Sequence, residues 1–215
     1  MSGKPYAQYC GLARALDVVG ERWSLLIVRE LLIRPARYSD LLAALPGVAT
    51  NLLAQRLRDL ETGGVIERRL GRPGQGVVYA LTDWGTGLRE TVESLLRWST
   101  PLMAPGPGSD AVRPHWLELA LTALLAGRTA VPPAEIALET AGTVLMVRAD
   151  QSGPTVTTLA PPAELPAAMT VLRAEPPVIL GLAAGTLTAG QAIAAADLAG
   201  DPGTLRQIFT RPAPP

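Results

Sequence analysis

Ala49-Thr50-Asn51-Leu52-Leu53-Ala54-Gln55-Arg56-Leu57-Arg58-Asp59-Leu60-Glu61 is the stretch from which the fold can be read. Wound as a helix, it places Ala49, Leu52, Leu53, Leu57 and Leu60 on one face at three- and four-residue spacing. Asn51, Ala54, Gln55 and Arg58 share the opposite face, with Asp59 and Glu61 to its sides. That face carries planar amides, one arginine and no acid. Amides and arginines are the side chains that meet base edges in a major groove. A solvated helix face has the same composition, so this stretch alone leaves both readings open.

Its flanks narrow the choice. Upstream, Tyr38-Ser39-Asp40-Leu41-Leu42-Ala43-Ala44-Leu45 predicts a short helix ended by Pro46-Gly47. Helix, tight turn and a second helix with a polar outer face is the helix-turn-helix pattern. Further upstream, residues 9–19 and 22–33 read as two apolar helices separated at Gly20, with Pro35 stopping the second. Downstream, Gly63-Gly64 ends the quoted helix. Val65–Leu70 and Val77–Leu81 then predict two strands around the loop Gly71–Gly76, a β-hairpin in the position of a wing. Arg68, Arg69 and Arg72 cluster there, with Glu67 the nearby acid. Phosphate contact or minor-groove insertion is the functional reading; solubility of an exposed hairpin is the plain one.

Many spaced positions then agree with one family. Cys10, Gly20-Glu21-Arg22-Trp23, Tyr38-Ser39-Asp40-Leu41, Pro46-Gly47-Val48, Leu53-x-x-Arg56-Leu57-x-x-Leu60-Glu61, Ile66-x-Arg68 and Val77-x-Tyr79-x-Leu81-Thr82-x-x-Gly85 together resemble the HxlR-type winged-helix transcriptional regulators, which are MarR-like. The resemblance covers about residues 9–103 and implies a cytoplasmic homodimer on double-stranded operator DNA. Carried onto this chain, it makes Ser39, Thr50, Asn51, Gln55, Arg56, Arg58, Arg68, Arg69 and Arg72 the candidate DNA contacts. Three positions depart from the family: Gly11 follows Cys10, Ala49 stands at the helix N-cap so that Thr50 is an alternative cap, and Val78 precedes the wing tyrosine. By its angle Arg56 sits at the apolar stripe, where an ion pair and a phosphate contact both fit and base readout does not. Cys10 matches a position that serves some family members as a redox sensor. Arg14 one turn away favours a reactive thiol and Asp17 opposes it, so a structural or unreactive cysteine is the preferred reading.

Composition agrees with two globular parts. The 215 residues are 48% apolar, with 19 basic and 19 acidic side chains. Residues 1–104 carry 13 Lys+Arg and 10 Asp+Glu, while residues 105–215 carry 6 and 9. The basic excess therefore sits with the quoted helix, and it is small, so polyanion affinity must come from local placement. A single cysteine excludes an internal disulfide and suits a reducing cytoplasm. No signal peptide is expected at the N-terminus. The uncharged run Pro176–Ala196 has two prolines and three glycines, so two buried helices are expected there rather than a membrane span.

Thr82 is a plausible N-cap for one long helix, Asp83–Met103. Its apolar positions Leu88, Val92, Leu95, Leu96, Trp98 and Leu102 exceed what a small winged-helix domain covers, so this helix and the first are read as the dimer contact. A domain of residues 1–104 is expected, then a Pro/Gly linker over 105–114, then a second domain over 115–215. There, Trp116–Ala126 predicts a helix, and Glu135–Glu139, Thr143–Arg148, Thr155–Leu159 and Met169–Arg173 predict strands. Pro177–Ala184 and Ala189–Ala195 predict short helices, the second opened by the capping box Thr188/Gln191. Asp201-Pro202 opens a last helix to Phe209.

Val178-Ile179-Leu180-Gly181-Leu182-Ala183-Ala184-Gly185-Thr186-Leu187, then Ala192-Ile193, Leu198-Ala199-Gly200-Asp201, Leu205 and Phe209, resemble the end of a sterol-carrier-protein-like domain. The resemblance spans roughly 113–210 and implies an apolar cavity between a sheet and helices. Trp116, Leu121, Met146, Ile179, Leu182 and Ile193 are the candidate wall, each of which also reads as ordinary core. An α+β protein is thus expected, a winged helix-turn-helix domain plus a sheet-and-helix, sterol-carrier-protein-like domain. The expected function is a dimeric regulator, in the first instance a repressor, responding to a small apolar ligand. The alternative is a carrier or protein-interaction module without specific DNA binding. No catalytic residues, cofactor, metal site or membrane partner are expected: the one histidine, His115, stands beside the linker, and no phosphate loop or nucleophile elbow is present.

Overall fold

The computed structural model describes residues 5–71, 76–159 and 164–210. The chain divides into two units, Met1–Val92 and Glu93–Pro215. The Pro/Gly stretch 105–114 thus lies inside the second unit.

In the first unit, α1 (Gly11–Val19) and α2 (Ser24–Ile33) precede α3 (Tyr38–Ala44) and α4 (Thr50–Thr62). Strands β1 (Ile66–Leu70) and β2 (Val77–Leu81) pair antiparallel, from Ile66 opposite Leu81 to Leu70 opposite Val77. Ala36 adds a short third strand, exchanging both backbone hydrogen bonds with Tyr79. The core is the apolar stripe expected of α4 set against its neighbours: Leu53, Leu57 and Leu60 are buried with Ile27, Leu41, Leu45 and Ile66. Burying a leucine of this kind contributes about 1.5–3 kcal/mol, which fixes which face of α4 turns outward.

Ala49 occupies the N-cap of α4 and gives it no side-chain cap, so Thr50 is the first helical residue rather than the cap. Thr82 does cap, its hydroxyl accepting the Gly85 amide at 3.0 Å. The long helix expected over Asp83–Met103 is broken into α5 (Asp83–Thr86), α6 (Arg89–Ser99) and a 3-10 turn, Thr100–Met103. Gly85 explains the first piece: a Cβ there would meet the Val65 carbonyl oxygen at 2.0 Å, so α5 is drawn against the root of β1. The chain must turn at Gly87 before Arg89 can donate to the Leu32 carbonyl at 3.1 Å.

In the second unit, α7 (Pro114–Leu125) leads into β3 (Ala134–Thr140), β4 (Thr143–Asp150), β5 (Gly153–Leu159) and β6 (Thr170–Arg173). Helices α8 (Pro176–Ala184) and α9 (Ala189–Ala194) follow, then β7 (Asp197–Ala199) and α10 (Pro202–Phe209). The sheet order is β5-β4-β3-β6-β7, with β3 and β6 parallel and the other neighbours antiparallel. Strand β7 was not expected from sequence; three residues are too short a run for alternation to register.

Alternation sorts the sheet's two faces. Ile136, Leu138, Leu145, Val147 and Leu172 join Leu121, Leu125, Ile179, Leu182, Leu205 and Phe209 in one apolar core between sheet and helices. Buried Arg128 ties two helix ends together, donating to the carbonyls of Ala183 in α8 and of Ile208 and Phe209 in α10. A cation at helix C-termini is favoured by the aligned peptide dipoles.

Candidate nucleic-acid interface

The site is built on α3, its turn and α4. Gly47 takes φ +85° in the turn after Leu45-Pro46, a backbone conformation that a glycine adopts without strain. The Tyr38 hydroxyl donates to the Thr50 carbonyl at 2.7 Å and ties the start of α3 to the start of α4. With the leucine stripe inside, Ser39, Thr50, Asn51 and Arg58 are exposed and Gln55 is half-buried. Five of the expected contacts are therefore accessible, with Asn51, Gln55 and Arg58 on one face of α4.

Arg56 is not one of them. It is 8% exposed, and its guanidinium turns inward. Nη2 donates to Glu21 Oε2 at 2.7 Å, Nη1 to Asp59 Oδ2 at 3.1 Å and Nε to the Arg22 carbonyl at 3.2 Å. The phosphate contact open to Arg56 in sequence is excluded by burial, and the ion-pair reading holds. Two of its partners, Glu21 and Arg22, lie in the turn between α1 and α2, where Trp23 is held at φ +81°. A bulky residue is rarely found there, and Arg56 fastens the two residues just before it.

On Asp59, burial pushes the carboxyl up, but hydrogen bonds from Gln55 and Arg56 pull it below the usual carboxylate range. The Gln55 amide nitrogen donates to Asp59 Oδ1 at 2.9 Å, and Arg58 Nη2 donates to Gln55 Oε1 at 2.8 Å.

The hairpin arginines are exposed but engaged. Arg68 forks onto Glu61, with Nε and Nη2 donating at 2.9 and 2.7 Å, and this lowers the Glu61 carboxyl from its ordinary value. Arg69 pairs with Glu67. Glu61 is therefore a second acid at the wing that the strand sequence did not disclose. Arg72 lies outside the described residues.

Sequence reasoning also missed Glu21 and Asp59. Asp59 was recoverable, because it stands four residues after Gln55 on the same side of α4. Glu21 was not, because it reaches Arg56 across 35 positions of chain.

Cys10 is exposed at the N-cap of α1. The amides of Ala13 and Leu12 donate toward it and lower the thiol below its ordinary value. It is exposed rather than packed, so of the expected structural or unreactive cysteine the structural alternative is not what the fold shows.

Of the six candidate ligand residues of the second unit, four share one core, and Met146 and Trp116 do not join them. Leu121, Ile179 and Leu182 are interior to the core, with Ile193 partly buried against it. Met146 alternates with core residues Leu145 and Val147 and so lies on the other face of the sheet. Trp116 is half-buried, with its ring edge-on to His115 at 5.8 Å. A groove of about 840 Å³ opens at the end of the sheet, but Glu139, Thr140, Arg173, Asp197 and their neighbours line it, and none of the six does. Among the described residues, no group of His, Cys, Asp and Glu could hold a metal ion, and no helix is long and apolar enough to cross a membrane.

A helix-turn-helix with an outward polar row, followed by a hairpin wing, defines a winged-helix nucleic-acid reader. Residues 18–106 match the model of the HxlR-like helix-turn-helix family. The regulator YodB of Bacillus subtilis (strain 168) is 31% identical over 93 residues, covering 43% of this chain and 83% of YodB. The uncharacterized regulator YvaP of the same organism is 34% identical over 93 residues, covering 43% of this chain and 86% of YvaP. The solved reduced form of YodB is 29% identical with a TM-score of 0.39, covering 46% of this chain and 99% of that one. The chain belongs to the HxlR-like helix-turn-helix family, whose matched members are transcriptional regulators and not enzymes.

Proposed function

We propose that the chain is a dimeric transcriptional regulator that lays α4 in the major groove of a palindromic operator and works in the cytoplasm. The observation that carries this is the accessible row Ser39, Thr50, Asn51, Gln55 and Arg58, backed by the buried leucines of the same helix. The wing supports it with Arg68 and Arg69, each more than half exposed at its side chain. Their carboxylate partners are what phosphate would displace.

Dimerisation is supported by exposed apolar side chains. Leu12 of α1 is 69% exposed and Trp98 of α6 is 76% exposed, apolar area that a second copy would cover. For the second unit we propose a sensor of a small apolar molecule, of sterol-carrier type. What supports it is the resemblance together with a layer of helices against one face of a five-stranded sheet. Because Leu121, Ile179 and Leu182 are packed inside, entry requires the helices to part.

The test is fluorescence anisotropy of the full chain on the DNA upstream of its own gene. Binding should favour one palindrome and fall steeply with salt. Equal affinity for all duplexes would refute specific reading, and a monomer in sedimentation at micromolar concentration would refute the dimer. A panel of hydrophobic metabolites should contain one that raises the melting temperature and shifts operator affinity by some 5- to 150-fold. Stabilisation without that shift would make the second unit a carrier or interaction module.

A further inference from the structure

The two long polar side chains of the α4 row are not independent of one another. A carboxylate accepts hydrogen bonds and does not donate; a guanidinium donates and does not accept. Gln55 lies between one of each, Asp59 at 2.9 Å and Arg58 at 2.8 Å. Only one orientation of its amide satisfies both, with nitrogen toward Asp59 and oxygen toward Arg58. Asp59 is in turn held by Arg56, and Arg56 by Glu21 and the Arg22 carbonyl. The result is a continuous chain of charge-assisted bonds from the buried side of the helix to its tip: Glu21, Arg56, Asp59, Gln55, Arg58. Its inner members are 8% and 9% exposed, while Arg58 is open to solvent.

This arrangement bears on which bases are read. Glutamine selects adenine by offering its carbonyl and amide together to N6 and N7, and arginine selects guanine with two N–H groups on O6 and N7. To reach an adenine, Gln55 must leave both partners and strip a buried carboxylate of a donor. Arg58 loses nothing comparable, because one Nη2 hydrogen directed at Gln55 leaves one of its two forks intact. We propose that Gln55 reads no base of its own: it is a positioning residue that aims Arg58, and Arg58 alone of the pair selects a guanine. Asp59 and Arg56 fix Gln55 and thereby Arg58.

This rests on the DNA-reading function proposed above, and selection from a random duplex library by the full chain separates the two. The readout is the preference for each base at each operator position, taken as a ratio within each variant, so that a uniform loss of affinity cancels. Arg58→Ala should erase a guanine preference of about 5- to 150-fold at one position per half-site. Gln55→Ala should weaken that same position by on the order of fivefold, the effect of one lost hydrogen bond, and leave every other position alone. Gln55→Glu is the decisive variant. It keeps an acceptor for Arg58 but, as a carboxylate, gives up the donor to Asp59, so the guanine preference should fall no further than in Gln55→Ala. A glutamine that read adenine directly would, on becoming glutamate, turn a different position from adenine toward cytosine. That outcome, or an Arg58→Ala profile unchanged at every guanine, overturns the proposal while the regulator reading stands. A wild-type chain that enriches no motif overturns both.

Discussion

Arg56→Ala tests whether the inner ion pairs hold the recognition helix in place. Arg56 and Asp59 are both buried, and breaking such a pair by removing one partner costs about 3–5 kcal/mol. Two features reduce that figure here. Asp59 retains the hydrogen bond from Gln55, and the Glu21 side chain, 45% exposed, returns to water once its partner is gone. An exposed pair of that kind contributes only about 0–1 kcal/mol. A loss of about 2–4 kcal/mol follows, confined to the first unit. The assay is hydrogen exchange on the full chain, with α4 amides as reporters and β3 amides as an internal control. At 1.4 kcal/mol per decade, protection across α4 should fall by about 30- to 700-fold while β3 is unchanged. A fall of less than about threefold would refute the argument, because it would mean these bonds only replace equivalent bonds to water. Equal loss in β3 would refute the localisation.

Three further outcomes follow from other contacts. Gly85→Ala should destabilise the first unit by about 1–3 kcal/mol or more, since its Cβ has no room against the Val65 carbonyl; an unchanged melting temperature would show that α5 can shift freely. Glu67→Gln should raise affinity for specific and unrelated duplexes alike, because it frees Arg69 for phosphate, and anisotropy showing a gain on one sequence only would assign Arg69 to base reading instead. The Glu61–Arg68 contact should be pH-dependent in one direction. The folded carboxyl sits below its unfolded value of about 4.3, so its stabilisation is complete above that pH and is lost as pH falls through the folded value. Protection of β1 amides should thus hold from pH 7 to 5 and drop below about pH 4, and Glu61→Gln should remove that acid-dependent part. An identical acid profile in the variant would locate the titration elsewhere.

The α4 stripe shows what a single sequence can determine. Leu53, Leu57 and Leu60 are where three- and four-residue spacing puts them, because helical periodicity is a local property and the hydrophobic effect needs no particular partner. The turn at Pro46-Gly47, the hairpin flanks, the Thr82 and Thr188 caps and the strands β3 to β6 were legible for the same reason: each is set by residues within a few positions of one another. The exposed half of the reading surface follows as the complement of the buried half.

What only the tertiary structure decided involves residues far apart in sequence. Arg56 reads as either an ion pair or a phosphate contact until Glu21, 35 positions away, is seen to draw it inward. Asp83–Met103 reads as one helix until Gly85 is found against the Val65 carbonyl. Met146 reads as a companion of Leu121 until strand register puts it on the opposite face of the sheet. Strand β7 exists because β6 offers it an edge to pair with, not because three residues prefer to be extended. Directional bonds and steric exclusions between distant segments depend on where the chain returns, and that is settled when the cores assemble, not by the local order of side chains.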